Sequence, residues 1–211
     1  MNTAAIENPT GKNGVQNPTL FFAPSSIVEP IPTEALFPSI QPLEIELGCG
    51  DGAFLLRYAA LHPERNFLAV ERLLGRIRKL DRKGPRAGLK NIRLLRFEAA
   101  YAMEYLLLRA CAQAIHVYFP DPWPKRKHHR RRLINARFME LAACVLAPAG
   151  LIHFRTDDAD YFTQITAVAR ANPGFKEVPA PEELTAVSTD FEKLFMGKGL
   201  PIHRTAFEKK T

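Results

Sequence analysis

The stretch Leu43-Glu44-Ile45-Glu46-Leu47-Gly48-Cys49-Gly50-Asp51-Gly52 decides the fold of this chain. Leu43–Leu47 reads as a short strand, the three glycines as a loop, and Ala53–Leu61 as the helix that follows. Glycines at such a corner let the backbone turn tightly and come close to a ligand. A purely structural turn would use them equally well, so the surrounding pattern has to arbitrate.

Outward from that corner, apolar runs alternate with helical periods. Asn66–Val70 is a second strand, followed by a basic helix from about Leu73 to Lys83 that is expected to stop at Gly84-Pro85. Ile92–Arg96 is a third strand, and Met103, Leu106, Leu107 and Ala110 mark one face of the next helix. Ala114–Phe119 is a fourth strand. Ile134, Phe138, Leu141 and Val145 define a long helix ending at Pro148 and Gly150. Leu151–Arg155 is a fifth strand, and Tyr161, Ile165 and Val168 mark a further helix. Weaker strands fall at Phe175–Val178 and Pro201–Glu208. This order predicts an α/β fold: a doubly wound, mostly parallel sheet with functional loops at the carboxyl ends of its strands.

The remaining bounds agree. A chain of 211 residues, 46% hydrophobic and 24% charged, is an ordinary globular composition and can form its own core. Six prolines before residue 40 and little periodicity predict a partly disordered tail over residues 1–40 and a single domain over 41–211, although Leu20-Phe21-Phe22 could dock on the body. Cys49, Cys111 and Cys144 are an odd, scattered set, which argues against a disulfide framework or a structural zinc and fits a reducing cytoplasm. The first residues lack the basic and apolar regions of a signal peptide, and no apolar run reaches the roughly 20 residues of a membrane helix.

Charge is concentrated. The chain carries +7 overall, but Arg72–Lys90 alone holds eight cations against Asp81, and Lys125–Arg132 (KRKHHRRR) holds six with no acid. The rest of the chain is therefore net acidic. A concentrated cationic footprint on an acidic body suits a polyanion such as nucleic acid. For Arg72–Lys90 a solvated helix face is an equal reading. For the second run, mutual repulsion of six cations makes an anionic partner the better one.

Acids dominate the loop ends. Glu46 precedes the glycines and Asp51 lies among them. Glu71 closes the second strand, where an acid grips ribose hydroxyls. The dinucleotide fingerprint needs G-x-G-x-x-G, whereas this loop is G-x-G-x-G, so a nicotinamide oxidoreductase fits poorly. Acids there would repel a pyrophosphate but suit a ligand with amino and sulfonium groups, such as S-adenosylmethionine. Glu98, after the third strand, is placed to reach an adenine or to cap a helix. Phe119-Pro120-Asp121-Pro122-Trp123-Pro124 follows the fourth strand as a stiff turn. It presents one acid, able to accept from the guanine edge, and the only tryptophan, able to stack on a base or to sit in the core. Of Thr156-Asp157-Asp158, one acid is expected to cap the next helix, and Asp157 is also expected to face the cleft. His128 and His129 have no partner set with metal-ligand spacing.

The ordered set ELGCGDG, AVER, FPDPWPKRKHHRRRL, RTDDADY and STDFEKLFMGKGLPIHR resembles the bacterial tRNA (guanine-N7-)-methyltransferase family over about Leu43–Lys209. The segment FPDPWPK with its basic run is the most specific part. The resemblance implies a class I, Rossmann-like methyltransferase with an antiparallel C-terminal strand. It would use S-adenosylmethionine, release S-adenosylhomocysteine, need no metal, and methylate N7 of a guanosine in the tRNA variable loop. By motif it implies cofactor binding by Glu46, Gly48, Gly50, Glu71, Glu98 and Asp121, with Asp121 also catalytic. Glu98 departs from the Asp or Asn usual there. Substrate contacts fall on Lys125, Asp157 and a Thr-x-x-Glu motif. That motif is assigned to Thr189, Asp190, Phe191 and Glu192 rather than to Thr205–Glu208, which lies within the closing strand. The implied partner is tRNA, with no membrane and no obligate protein partner. A noncatalytic RNA-binding relative would have lost Glu46, Glu71 or Asp121. An amino-group methyltransferase would read D-P-P-Y or N-P-P-Y at the turn.

Overall fold

The computed structural model describes residues 19–211. The expectation for residues 1–18 lies outside them. Eight strands form one sheet in the order β1-β4-β3-β2-β5-β6-β8-β7. They are β1 (Phe21–Phe22), β2 (Leu43–Leu47), β3 (Asn66–Val70), β4 (Ile92–Leu95), β5 (Ala112–Tyr118), β6 (Leu146–Thr156), β7 (Phe175–Val178) and β8 (His203–Lys209). Pairs from β1 through β6 are parallel. Only β8 runs antiparallel to its neighbours, β6 and β7. The winding reverses between β2 and β5, so a cleft opens at the carboxyl ends of these two strands.

Period-two alternation in a sheet buried on both faces explains the two cores. Leu43, Ile45, Leu47, Leu68 and Val70 face one core, filled by Phe138, Leu141, Tyr161 and Ile165. Those four come from α5 (Ala136–Val145) and α6 (Ala159–Ala171), whose N-termini are capped by the side chains of Asn135 and Asp158. Phe67 and Ala69 face the other core, with Phe54, Leu55 and Tyr58 of α2 (Ala53–Leu61) and Ile77 and Leu80 of α3 (Leu74–Arg86).

Several boundaries differ from the sequence reading. Leu20, Ile31, Leu36 and Phe37 are buried, Leu36 within a short helix, α1 (Thr33–Leu36). Residues 19–22 are tied to α3: Asp81 accepts from the Thr19 hydroxyl at 2.9 Å and from the Leu20 amide at 2.6 Å. The α3 helix runs to Arg86 with Pro85 in its last turn. Gly84 lets Leu20 dock on this helix, because a Cβ there would fall 2.2 Å from a Leu20 methyl. The helix after β4 is short. It opens as α4 (Ala99–Tyr101), widens into a π-helical turn over Ala102–Leu106 and ends, so Leu107 and Ala110 leave the helical face. Helix α5 ends at Val145 and the chain passes directly into β6. Pro148 and Gly150 are absorbed by an irregularity in the β5–β6 ladder, where Ala149 takes a positive φ of 59°.

Candidate functional site

Two adjoining cavities occupy the cleft, with volumes of about 650 and 430 Å³. The first lies between the glycine loop, the start of α3 and α8 (Asp190–Gly197); the second lies between the ends of β3 and β4 and the turn after β5. Gly48, Leu73, Arg76, Tyr118, Phe119 and Asp121 line both. Asp121 therefore stands where the cavities join.

The glycine loop is built around positive φ angles at Gly48 (77°), Gly50 (56°) and Gly52 (72°). At Gly52 a Cβ would also fall 2.2 Å from a Leu80 methyl. Glu46 reaches the first cavity from the carboxyl end of β2 and is only 4% exposed. Its Oε2 is buried without a hydrogen-bond partner. Burial pushes its pKa up to about 8; the Arg155 charge opposes that and Glu71 adds to it. A buried acid with a vacant acceptor suits a cationic or N–H-bearing ligand group. Glu71, in the second cavity, accepts from the amides of Gly50 (3.1 Å) and Leu73 (2.9 Å) and lies 3.5 Å from Arg76. These bonds fix the carboxylate and leave lone pairs on both oxygens. Exposed Glu98 does two things: it caps α4 through the Tyr101 amide at 3.0 Å and lines the second cavity.

The turn after β5 is held against strain. Phe119 and Trp123 have φ of 51° and 46°. Arg132 donates to the Pro122 carbonyl at 2.7 Å, and its guanidinium also binds Gln164 and Asp160 and lies over the Tyr161 ring. Arg132 is buried. The last cation of the basic run is thus a brace for the turn, not part of an exposed anion surface. The preceding Arg126–Arg131 form a 3-10 helix. Trp123 is taken up by its neighbours, with Arg131 4.9 Å over its ring and His128 against its edge.

The other expected substrate residues divide. Thr189 and Glu192 form a reciprocal cap at the start of α8, and Glu192 is buried. Glu192 also pairs with Arg155 at 2.7 Å and Arg204 at 2.8 Å. Thr189, Asp190 and Phe191 line the first cavity, and Phe191 packs 5.8 Å from the Phe119 ring. Lys125, exposed at the head of the 3-10 helix, and half-buried Asp157, just past β6, line neither cavity.

Arg155 is the residue that sequence reasoning missed. Buried on β6, it binds the carbonyls of Leu184 and Val187 as well as Glu192. It lies 4.2 Å over the Tyr118 ring. It therefore ties the segment before α8 to the sheet beneath the first cavity. A lone arginine in an apolar strand was its only signal. Among the described residues, no group of three His, Cys, Asp or Glu side chains is placed to hold a metal ion, and no helix is long and apolar enough to cross a membrane.

Comparison with known proteins agrees with this geometry. The family described as "Putative methyltransferase" matches residues 40–205. The tRNA (guanine-N(7)-)-methyltransferase of Syntrophotalea carbinolica is 34% identical over 187 residues, covering 87% of this chain and 81% of the relative. The enzyme of the same name from Thiobacillus denitrificans is 35% identical, covering 84% and 79%. Among solved structures, the 16S rRNA methyltransferase KamB superposes with a TM-score of 0.61 at 17% identity, over 85% of this chain and 93% of that one, which shows a shared fold. On these grounds the chain belongs to the tRNA (guanine-N7-)-methyltransferase family.

Proposed function

We propose that this chain transfers a methyl group from S-adenosylmethionine to N7 of a guanosine in tRNA, within the variable loop, and that it works in the cytoplasm, where that substrate is found. The observation that carries the reading is Asp121 at the junction of two cavities, one holding the unpartnered acid Glu46 and the other Glu71.

The vacant Oε2 of Glu46 fits the ammonium end of the donor, and the spare lone pairs of Glu71 fit its ribose hydroxyls. Glu98 and Gly48 complete the adenosine side, and Gly50 and Asp121 border the methionine side. When bound, S-adenosylmethionine supplies a methyl group on a positively charged sulfur; S-adenosylhomocysteine is left behind. Guanine N7 carries a free lone pair, so no proton has to leave before attack and no strong base is required. Asp121 instead orients the guanine by accepting from its N–H edge, and it steadies the positive charge that methylation places on the ring. Placement of this kind can supply roughly 7–11 kcal/mol. Phe191 and Asp190 border the space left for the base, while Lys125 and Asp157, outside the cavities, are assigned to the surrounding RNA.

The test is incubation of the full chain with labelled S-adenosylmethionine and bulk tRNA, followed by nucleoside analysis. Label is expected in 7-methylguanosine, and label in any other nucleoside overturns the reading. Asp121→Ala should lower turnover by about 100-fold or more. Retained turnover would remove Asp121 from the chemistry.

A further inference from the structure

Helix α3 carries more charge than the cleft uses. Arg76 and Lys79 line the first cavity and meet Glu71 and Asp51. Beyond them, Arg78, Arg82 and Arg86 recur every fourth residue and are all exposed. They form one row along the helix, with about 6 Å between successive positions and about 12 Å end to end. The nearby acids are turned elsewhere. Asp81, the only acid of the helix, is held by Thr19 and Leu20. Among the described residues the three arginines make no ion pair.

Such a row opposes the helix, since like charges four apart cost about 0.2–0.5 kcal/mol per pair. The helix dipole compensates near the C-terminus, where Arg86 lies, but not at Arg78 in the second turn. The row also leads somewhere. Arg72 and Arg76, at the start of α3, line the second cavity together with Arg131 of the 3-10 helix. Cations from the β3 side and from the β5 side therefore converge on one cleft. Three separate charges strung over two helical turns match a chain of phosphates, not a single phosphate ion.

We propose that Arg78, Arg82 and Arg86 form a second phosphate-binding track, along which the tRNA backbone leaves the cleft on the side away from the Arg126–Arg131 helix. The proposal rests on the tRNA reading above. It differs from that reading in assigning a surface that lies outside both cavities.

The experiment compares tRNA binding by the full-length chain and by the Arg78→Gln/Arg82→Gln/Arg86→Gln variant over a range of salt. A control, Arg109→Gln/Lys176→Gln/Lys210→Gln, removes the same charge from exposed positions off α3: Arg109 in the turn before β5, Lys176 on β7 and Lys210 just past β8. The track predicts tRNA binding at least about tenfold weaker at low salt. It also predicts a log–log salt slope shallower by about 2–3, at roughly 0.7–0.9 for each phosphate no longer neutralised. S-adenosylmethionine affinity should stay at the parental value, and the control should change far less. An unchanged slope, or an equal change in the control, overturns the track. Because the readout is binding, a parent that binds tRNA without methylating it would defeat the functional reading and leave the track to stand or fall on its own slope.

Discussion

Glu44 and Glu46 lie on the same face of β2, one pleat apart, and both are buried. Glu44 is fully served: His116 Nε2 lies 2.7 Å from one oxygen and Arg65 donates to the other at 2.8 Å. Burial alone would raise its pKa, but hydrogen bonding and charge from His116 and Arg65 bring it down to about 2. Glu46 has no such supply on Oε2, and burial pushes it the other way, to about 8. The same residue type on one strand is thus a structural ion in one place and a vacant acceptor in the next. Burial of an acid does not mark the site; the missing partner does.

The contrast can be broken first at Glu44. Glu44→Gln leaves His116 and Arg65 facing an uncharged amide, and breaking a buried pair costs about 3–5 kcal/mol. The lower end is expected, because Arg65 keeps Glu64 and Glu183. Denaturant unfolding at neutral pH measures it. Since the folded pKa of Glu44 is depressed, its contribution is present above pH 4.5 and is lost as pH falls from there toward 2. An unfolding midpoint equal to the parent's would show that the network carries no weight.

Glu46→Gln should do the reverse. Affinity for S-adenosylmethionine, read by calorimetry, should fall roughly 10–150-fold with loss of a charged hydrogen bond. Stability should rise. A raised folded pKa means the contribution of Glu46 is whole below 4.5 and is lost as pH climbs to about 8, a penalty the glutamine does not carry. The gain is on the order of 1 kcal/mol per pH unit within that window. A destabilised Glu46→Gln protein at pH 8 would contradict the assignment. The smallest effect is in the parent's own ligand affinity. It should weaken by at most about tenfold per unit as pH drops below 8, while that of Glu46→Gln stays level. A flat parental curve would mean that Glu46 is already ionised in the free protein.

Much of this was legible in the sequence where one local rule decided the outcome. Leu43–Leu47, Ala53–Leu61 and Asn66–Val70 fall where apolar period and glycine placement put them. The carboxyl ends of β2, β3 and β5 gather Glu46, Glu71 and Asp121 as a doubly wound sheet requires. What was not legible depends on partners distant in the chain. Arg132 reads as one more cation in KRKHHRRR, and only the fold brings Pro122, Gln164 and Asp160 around it. Arg155 binds two backbone carbonyls, which no side-chain pattern announces. Thr189 and Glu192 carry a readable capping signature, yet the burial of Glu192 between two arginines is a tertiary fact. Residues 19–40 hide their docking side chains among prolines at irregular intervals.

The two-residue strand β1 has a consequence for solubility. It pairs with β4 at Phe21↔Leu94 and Phe22↔Leu95, along what would otherwise be the open margin of the sheet. Without that strap, a run of apolar backbone would present free N–H and C=O groups to other copies of the chain. Trimming through residue 22 should therefore produce self-associating material before it produces a slower catalyst.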